Sequence, residues 1–94
     1  MRSSERSARE LRIAGILDRI RDIPAGSVQT YGDIDPAAPR LVGRILATTH
    51  QRLPWHRVIR ADGSIPKGHR QRELLLAEGV PMSGDRVDLD RARA

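Results

Sequence analysis

Ninety-four residues suffice for one domain with a modest core. The absence of cysteine removes disulfides, thiolate metal ligands and thiol nucleophiles together, and no apolar run approaches the ~20 residues of a membrane span. Seventeen Lys and Arg against twelve Asp and Glu give a formal charge of +5, and the excess lies in residues 40–72, where Arg40, Arg44, Arg52, Arg57, Arg60, Lys67, Arg70 and Arg72 face Asp62 alone. Such a block is the footprint of a polyanion-binding surface. Arg outnumbers Lys sixteen to one; codon bias accounts for the choice of cation but not for its clustering. The charged N-terminus lacks the apolar stretch of a signal peptide, so the expected location is the cytoplasm, or the nucleoid in a bacterium.

Residues 1–6 are polar and expected to fray. Ser7 and Glu10 form a capping-box pattern, and Ile13, Ile16, Leu17 and Ile20 then follow helical spacing until Pro24 and Gly26 stop the helix. Thr30 can cap a short helix that starts at Tyr31, with Asp33 in its first turn. Asp35 to Pro39 is a turn. Leu41, Val42, Ile45 and Leu46 mark the buried side of the next helix, on which Arg40 and Arg44 share a face. Two short helices around a tight turn suggest a helix-turn-helix, a pattern that many helical domains unrelated to DNA also contain.

Leu53-Pro54-Trp55-His56-Arg57-Val58 holds the only tryptophan, and Tyr31 is the only other aromatic residue. Small domains usually spend such rings on the core, but here both stand beside turn residues and positive charge. Val58 to Arg60 is a short extended run closed by Asp62-Gly63. Arg70 to Ala77 is helical, with Leu74, Leu75 and Leu76 as its buried side and Glu78-Gly79 as a glycine cap. Val80 to Leu89 fits a small hairpin around Ser83-Gly84-Asp85. Residues 90–94 are charged and expected to be mobile. Nothing divides 1–94 into more than one domain.

Pro54-Trp55-His56-Arg57-Val58 resembles the active-site motif of the O6-alkylguanine-DNA alkyltransferases, with tryptophan in place of the acceptor cysteine. That substitution marks the alkyltransferase-like members of the family. Ile23-Pro24-x-Gly26-x-Val28-x-Thr30-Tyr31-Gly32, Arg40-x-Val42-Gly43 and Leu75-Leu76-Ala77-Glu78-Gly79-Val80 follow the family in the same order. The connection from Tyr31 to Arg40 is shorter than the family's, and Pro39 immediately precedes Arg40. The resemblance implies a mainly α fold with short β elements, a winged-helix-like helix-turn-helix domain similar to the alkyltransferase C-terminal domain.

It also implies roles. Tyr31 would press on the DNA backbone and rotate a nucleotide outward, and Arg40, or Arg44 on the same face, would fill the gap. Tyr31, Trp55, Val58, Lys67 and Gly68 would form the lesion pocket, with main-chain groups near Trp55 and Val58 reading the guanine edge. His56 and Glu78 stand at the family's relay positions. The basic residues Arg44, Arg52, Arg57, Arg60 and Arg70 are candidates for backbone phosphates.

Alkyl transfer needs a strong, soft nucleophile, and an indole N–H is only a donor. The expected activity is therefore non-enzymatic: recognition of O6-alkylguanine in double-stranded DNA by nucleotide flipping, flagging the lesion for nucleotide excision repair proteins, by a monomer without cofactor or metal. A helix-turn-helix regulator without lesion specificity is the alternative. Hydrolysis at His56 and Glu78 is a third reading, disfavoured because the three histidines lack metal-ligand spacing.

Overall fold

The computed structural model describes residues 7–94; the fraying expected of residues 1–6 lies outside them. Helix α1 spans Ala8–Arg21. Ser7 Oγ accepts the Glu10 N–H and Glu10 Oε1 accepts the Ser7 N–H, closing the capping box anticipated from sequence. Ile16 and Ile20 are fully buried, with Ile13 and Leu17 packed beside them. Strand β1 is Gln29–Thr30, and helix α2, Tyr31–Ile34, follows it directly. Thr30 and Asp33 make a second capping box at 3.0 Å in both directions.

A four-residue helix cannot hold itself together, and α1 supplies the support. Arg19 Nη1 donates to the Ile34 carbonyl at 2.6 Å. Arg12 forks onto both oxygens of Asp35 at 2.7 Å, while Asp35 Oδ1 also accepts the Ala37 N–H. The Arg12 guanidinium, aided by that N–H, holds the Asp35 carboxyl below its ordinary range. The turn between α2 and α3, Pro39–Thr48, is therefore fixed to the first helix. Pro39 occupies the first position of α3, where a missing N–H costs nothing. The short connection and its proline are thus compatible with an ordered helix-turn-helix.

Trp55–Arg57 form a 3-10 turn that leads into β2, Val58–Ile59. Strands β1 and β2 run parallel, Gln29 beside Val58 and Thr30 beside Ile59. Neighbouring residues of a strand face opposite sides, and this pair joins two cores. Val58 packs with Ile16, Ile20, Ile23, Ile34, Val42 and Ile45. Ile59 packs with Val28, Leu75, Val80, Val87 and Ala92. Each such buried aliphatic side chain contributes about 1.5–3 kcal/mol, so the cores form without phenylalanine.

Helix α4 is Gly68–Ala77. Its sequence led to three adjacent buried leucines, but only Leu75 is fully buried, and Leu76 is 48% exposed. Successive residues point some 100° apart around a helix, so three in a row cannot share one face. The residue that completes the buried side is Gln71, one turn before Leu75. Gly79 ends the helix at φ +76°. Strands β3, Met82–Ser83, and β4, Arg86–Val87, form the expected hairpin. It packs on the 60–63 turn so closely that a Cβ on Gly63 would lie 2.6 Å from the Val87 carbonyl oxygen.

The closing segment corrects an expectation. Leu89–Ala92 form helix α5, Ala92 is buried, and Arg93 bridges to Val28. The Val28 N–H donates to the Ala92 carbonyl and the Ala94 N–H to the Val28 carbonyl, both at 2.9 Å. Arg93 Nε donates to Asp33 at 3.0 Å. The sequence shows a charged tail. The backbone bonds that order it are made with a segment far away in the chain and leave no local pattern.

Candidate nucleic-acid interface

Trp55 belongs to neither core. The 3-10 turn leaves its indole half-buried, edge-on to the His56 ring at 82° and 6.0 Å between centroids. With Tyr31, Leu46 and Lys67 it lines a cavity of about 300 Å³. A second cavity of about 380 Å³ is lined by Tyr31, Leu46 and Lys67 again, and by Pro39, Arg40, Gly43, Arg60 and Pro66. The two share Tyr31, Leu46 and Lys67; Trp55 lines the first, and Arg40 and Arg60 line the second. Leu46 and Pro66 are walls that the sequence reading omitted.

Tyr31 sits there because Thr30 caps the helix it begins. Its ring packs on the first core, and a Cβ on Gly43 would lie 3.8 Å from Tyr31 Cε1, so α3 runs close against the ring. Burial raises the pKa of the tyrosine hydroxyl, with the nearby Arg60 charge acting in the opposite direction. The hydroxyl is therefore a neutral donor at pH 7.

The cations divide sharply. Among the described residues Arg40, Arg60 and Lys67 have no carboxylate partner, and all three are exposed. Arg44, Arg52 and Arg70 are likewise exposed and without an ion pair. Arg57, expected to be either structural or DNA-facing, is held within the fold. Its Nε and Nη2 donate to Glu78 Oε1 and Oε2 at 2.9 and 2.7 Å, and Nη1 donates to the Ile23 carbonyl at 2.8 Å. Three of the five N–H donors of this guanidinium are thus spent inside the fold, and its charge is matched by Glu78.

Glu78 is the centre of that cluster. Besides Arg57 it accepts from His56 Nε2 at 2.8 Å and from the Gly26 N–H at 3.3 Å. The Arg57 hydrogen bonds, and then those from His56 and Gly26, pull its pKa down to about 2 against the opposing effect of burial. A carboxylate ionised at all working pH values can only accept, so the proton of the His56–Glu78 bond resides on Nε2. The expected relay pair is therefore in contact, within a four-donor clamp that includes Arg57.

Gln71 was missed. Its side chain is fully buried, and Nε2 donates to the His56 and Val58 carbonyls at 3.0 and 2.9 Å while Oε1 accepts the Lys67 N–H at 2.8 Å. One amide thus ties the tryptophan turn to the Lys67 wall of the cavity. A polar residue one turn before a buried leucine was the available signal. Val58, expected to act through its main chain, points its side chain into the first core, and its carbonyl accepts from Gln71. Gly68, another expected pocket residue, lines a separate cleft with Ser64, Ile65, His69 and Arg72 and begins α4 at φ +71°.

No group of three or more His, Cys, Asp or Glu among the described residues could hold a metal ion, and no helix among them is long and apolar enough to cross a membrane.

Comparison with known proteins gives a consistent set. Residues 14–80 match the family described as 6-O-methylguanine DNA methyltransferase, DNA binding domain. A DNA base-flipping protein of Escherichia coli (strain K12) is 46% identical over 83 residues, covering 76% of this chain and 64% of that protein. The chain therefore spans less than two thirds of that relative's length. A methylated-DNA–protein-cysteine methyltransferase of Methanopyrus kandleri is 47% identical over 77 residues, 69% of this chain and 56% of the other. The crystal structure of S. pombe Atl1 in complex with damaged DNA containing O6-carboxymethylguanine superposes with a TM-score of 0.78 at 29% identity, over 96% of this chain and 98% of that one.

Proposed function

The chain belongs to the 6-O-methylguanine DNA methyltransferase DNA-binding-domain family, and on that premise we propose that it recognises O6-alkylguanine in duplex DNA by flipping the nucleotide, without transferring the alkyl group. The observation that carries this reading is the cavity in which Tyr31, Trp55 and Lys67 meet, beside a second that shares Tyr31 and Lys67 and is lined by Arg40.

Taking a base out of the stack costs a few kcal/mol, less for a damaged pair. Tyr31 at the start of α2 presses the backbone, and Arg40 at the start of α3 enters the space vacated. The base enters the inner cavity and lies against the indole, a contact that contributes roughly 1–3 kcal/mol. Leu46 offers the alkyl substituent an apolar wall. Arg44, Arg52 and Arg70 neutralise phosphates along the duplex and make affinity salt-dependent.

No acceptor thiol exists anywhere in the chain, and Trp55 occupies the position where the resemblance puts one. His56 Nε2 faces Glu78; the pair braces the turn. The bound lesion then awaits removal by other proteins. Handover to nucleotide excision repair and action as a monomer complete the proposal.

The test is a titration followed by the fluorescence of Trp55, the sole tryptophan. It uses one plain duplex and one bearing a single O6-methylguanine, at fixed salt. Lesion affinity at least tenfold higher, about 1.4 kcal/mol, with indole quenching is expected. Equal affinities would overturn the reading, and a methylated protein recovered after incubation would overturn the absence of transfer.

A further inference from the structure

The basic block of sequence holds an arginine that the DNA reading leaves unused. Arg72 is half-buried on α4, and among the described residues it has no ion pair and no side-chain hydrogen bond. With Ser64, Ile65, His69, Asp85 and Arg86 it lines a cleft of about 570 Å³. Arg86 has one carboxylate partner, Asp62 at 3.9 Å, in an exposed pair of the kind that contributes little. The cleft shares no lining residue with the two cavities at Tyr31.

Helical geometry separates Arg72 from the arginine assigned to the duplex. Residues two apart on a helix lie about 200° from each other, so Arg70 and Arg72 leave α4 on nearly opposite sides. Residues three and seven apart share a side, so His69, Arg72 and Leu76 form one stripe. Leu76 is 48% exposed and belongs to neither core. Glu73, beside the stripe, does not line the cleft. A cationic cleft and an exposed apolar side chain thus stand one turn apart on the same face. A half-buried guanidinium is costly without an acceptor, and a carboxylate matches its fork. Duplex DNA fits this face poorly, because Asp85 repels a phosphate and a phosphate offers nothing to Leu76. A peptide supplies carboxylates for the cations, a backbone N–H for Asp85 and an apolar side chain for Leu76.

We propose that the His69–Arg72–Leu76 face of α4 and its cleft dock an acidic, leucine-containing segment of a second protein, with a carboxylate on Arg72 and an apolar side chain on Leu76. The protein then holds DNA and its partner at the same time, on separate surfaces.

The test uses a short fluorescein-labelled peptide built of Asp, Glu and Leu, and a counterpart in which Asn and Gln replace the acids. Each is titrated with the full chain. The acidic peptide is expected to bind at least tenfold more tightly, about 1.4 kcal/mol. R72M, which keeps an aliphatic stem and loses the charge, is expected to lose about that tenfold, and L76S about threefold. R9A, which removes the same charge from α1, is expected to bind the peptide like the wild type. Binding is also expected to persist when the protein is saturated with duplex DNA. Arg72 is unpaired and Leu76 exposed, so the variants should fold, which circular dichroism checks. Equal binding of the two peptides, or an R72M protein that binds the acidic one like the wild type, would overturn the proposal. Displacement of the peptide by duplex would assign the cleft to the DNA surface and overturn it as well.

Discussion

Two sides of the Trp55–Arg57 turn treat positive charge in opposite ways. On one side Arg57 and His56 converge on Glu78, and every donor they direct inward has an acceptor. On the other side Arg40, Arg60 and Lys67 surround a depression without a carboxylate. All five belong to the same basic block of sequence. The difference shows that a cluster of arginines is two populations, one paired within the fold and one without a carboxylate partner among the described residues. The sorting is done by a single acid more than twenty residues away.

The strongest way to break the contrast is to turn the saturated side into an unsaturated one. Glu78→Ala leaves Arg57 and His56 without their acceptor in a site less than a fifth exposed. A loss of about 3 kcal/mol is expected, read as a lower urea midpoint. Acid does the same more gently. The Glu78 pKa is depressed in the fold, from 4.5 to about 2. Its stabilising contribution is therefore complete above pH 4.5 and declines as pH falls toward 2, because the unfolded chain binds the proton first. Urea midpoints across that window should fall in the wild type and change less in Glu78→Gln.

Gln71→Leu tests whether the two sides are coupled. It removes a buried amide that joins the turn to the Lys67 wall and leaves two carbonyls and one N–H without that partner. A cost of about 1–3 kcal/mol is expected, together with a reduced preference for the lesion duplex at temperatures where the variant is folded. Unchanged preference would make Gln71 purely structural. The smallest effect belongs to an exposed, unpaired arginine. Arg44→Ala should leave stability within about 0.5 kcal/mol, weaken plain and lesion duplexes alike, and lower the slope of log affinity against log salt by about 1.

Much of this was readable in the residues. The Ser7–Glu10 capping box, the Thr30 cap, the α1 stripe, the glycine end of α4 and the hairpin follow from spacing, because each depends on neighbours close in sequence. The resemblance around Trp55 led to the cavity and to the His56–Glu78 contact. What stayed hidden depends on distant partners. Arg57 could be assigned to DNA or to the fold only by knowing where Glu78 lies. Gln71 was missed because its partners are backbone groups, which carry no residue identity. That Val58 and Ile59 divide between two cores follows from the parallel pairing with β1, which no local pattern announces.

The segment that begins with Tyr31 is four residues long, yet its supports come from both ends of the described chain. Arg19 and Arg12 hold its far end, while Arg93 reaches Asp33 across 60 positions. Contacts over such spans form only after loop closure has been achieved elsewhere. The position of Tyr31 is consequently set by segments far apart in the sequence: a change at Arg12 or Arg93 reaches the rim of the cavity without touching it.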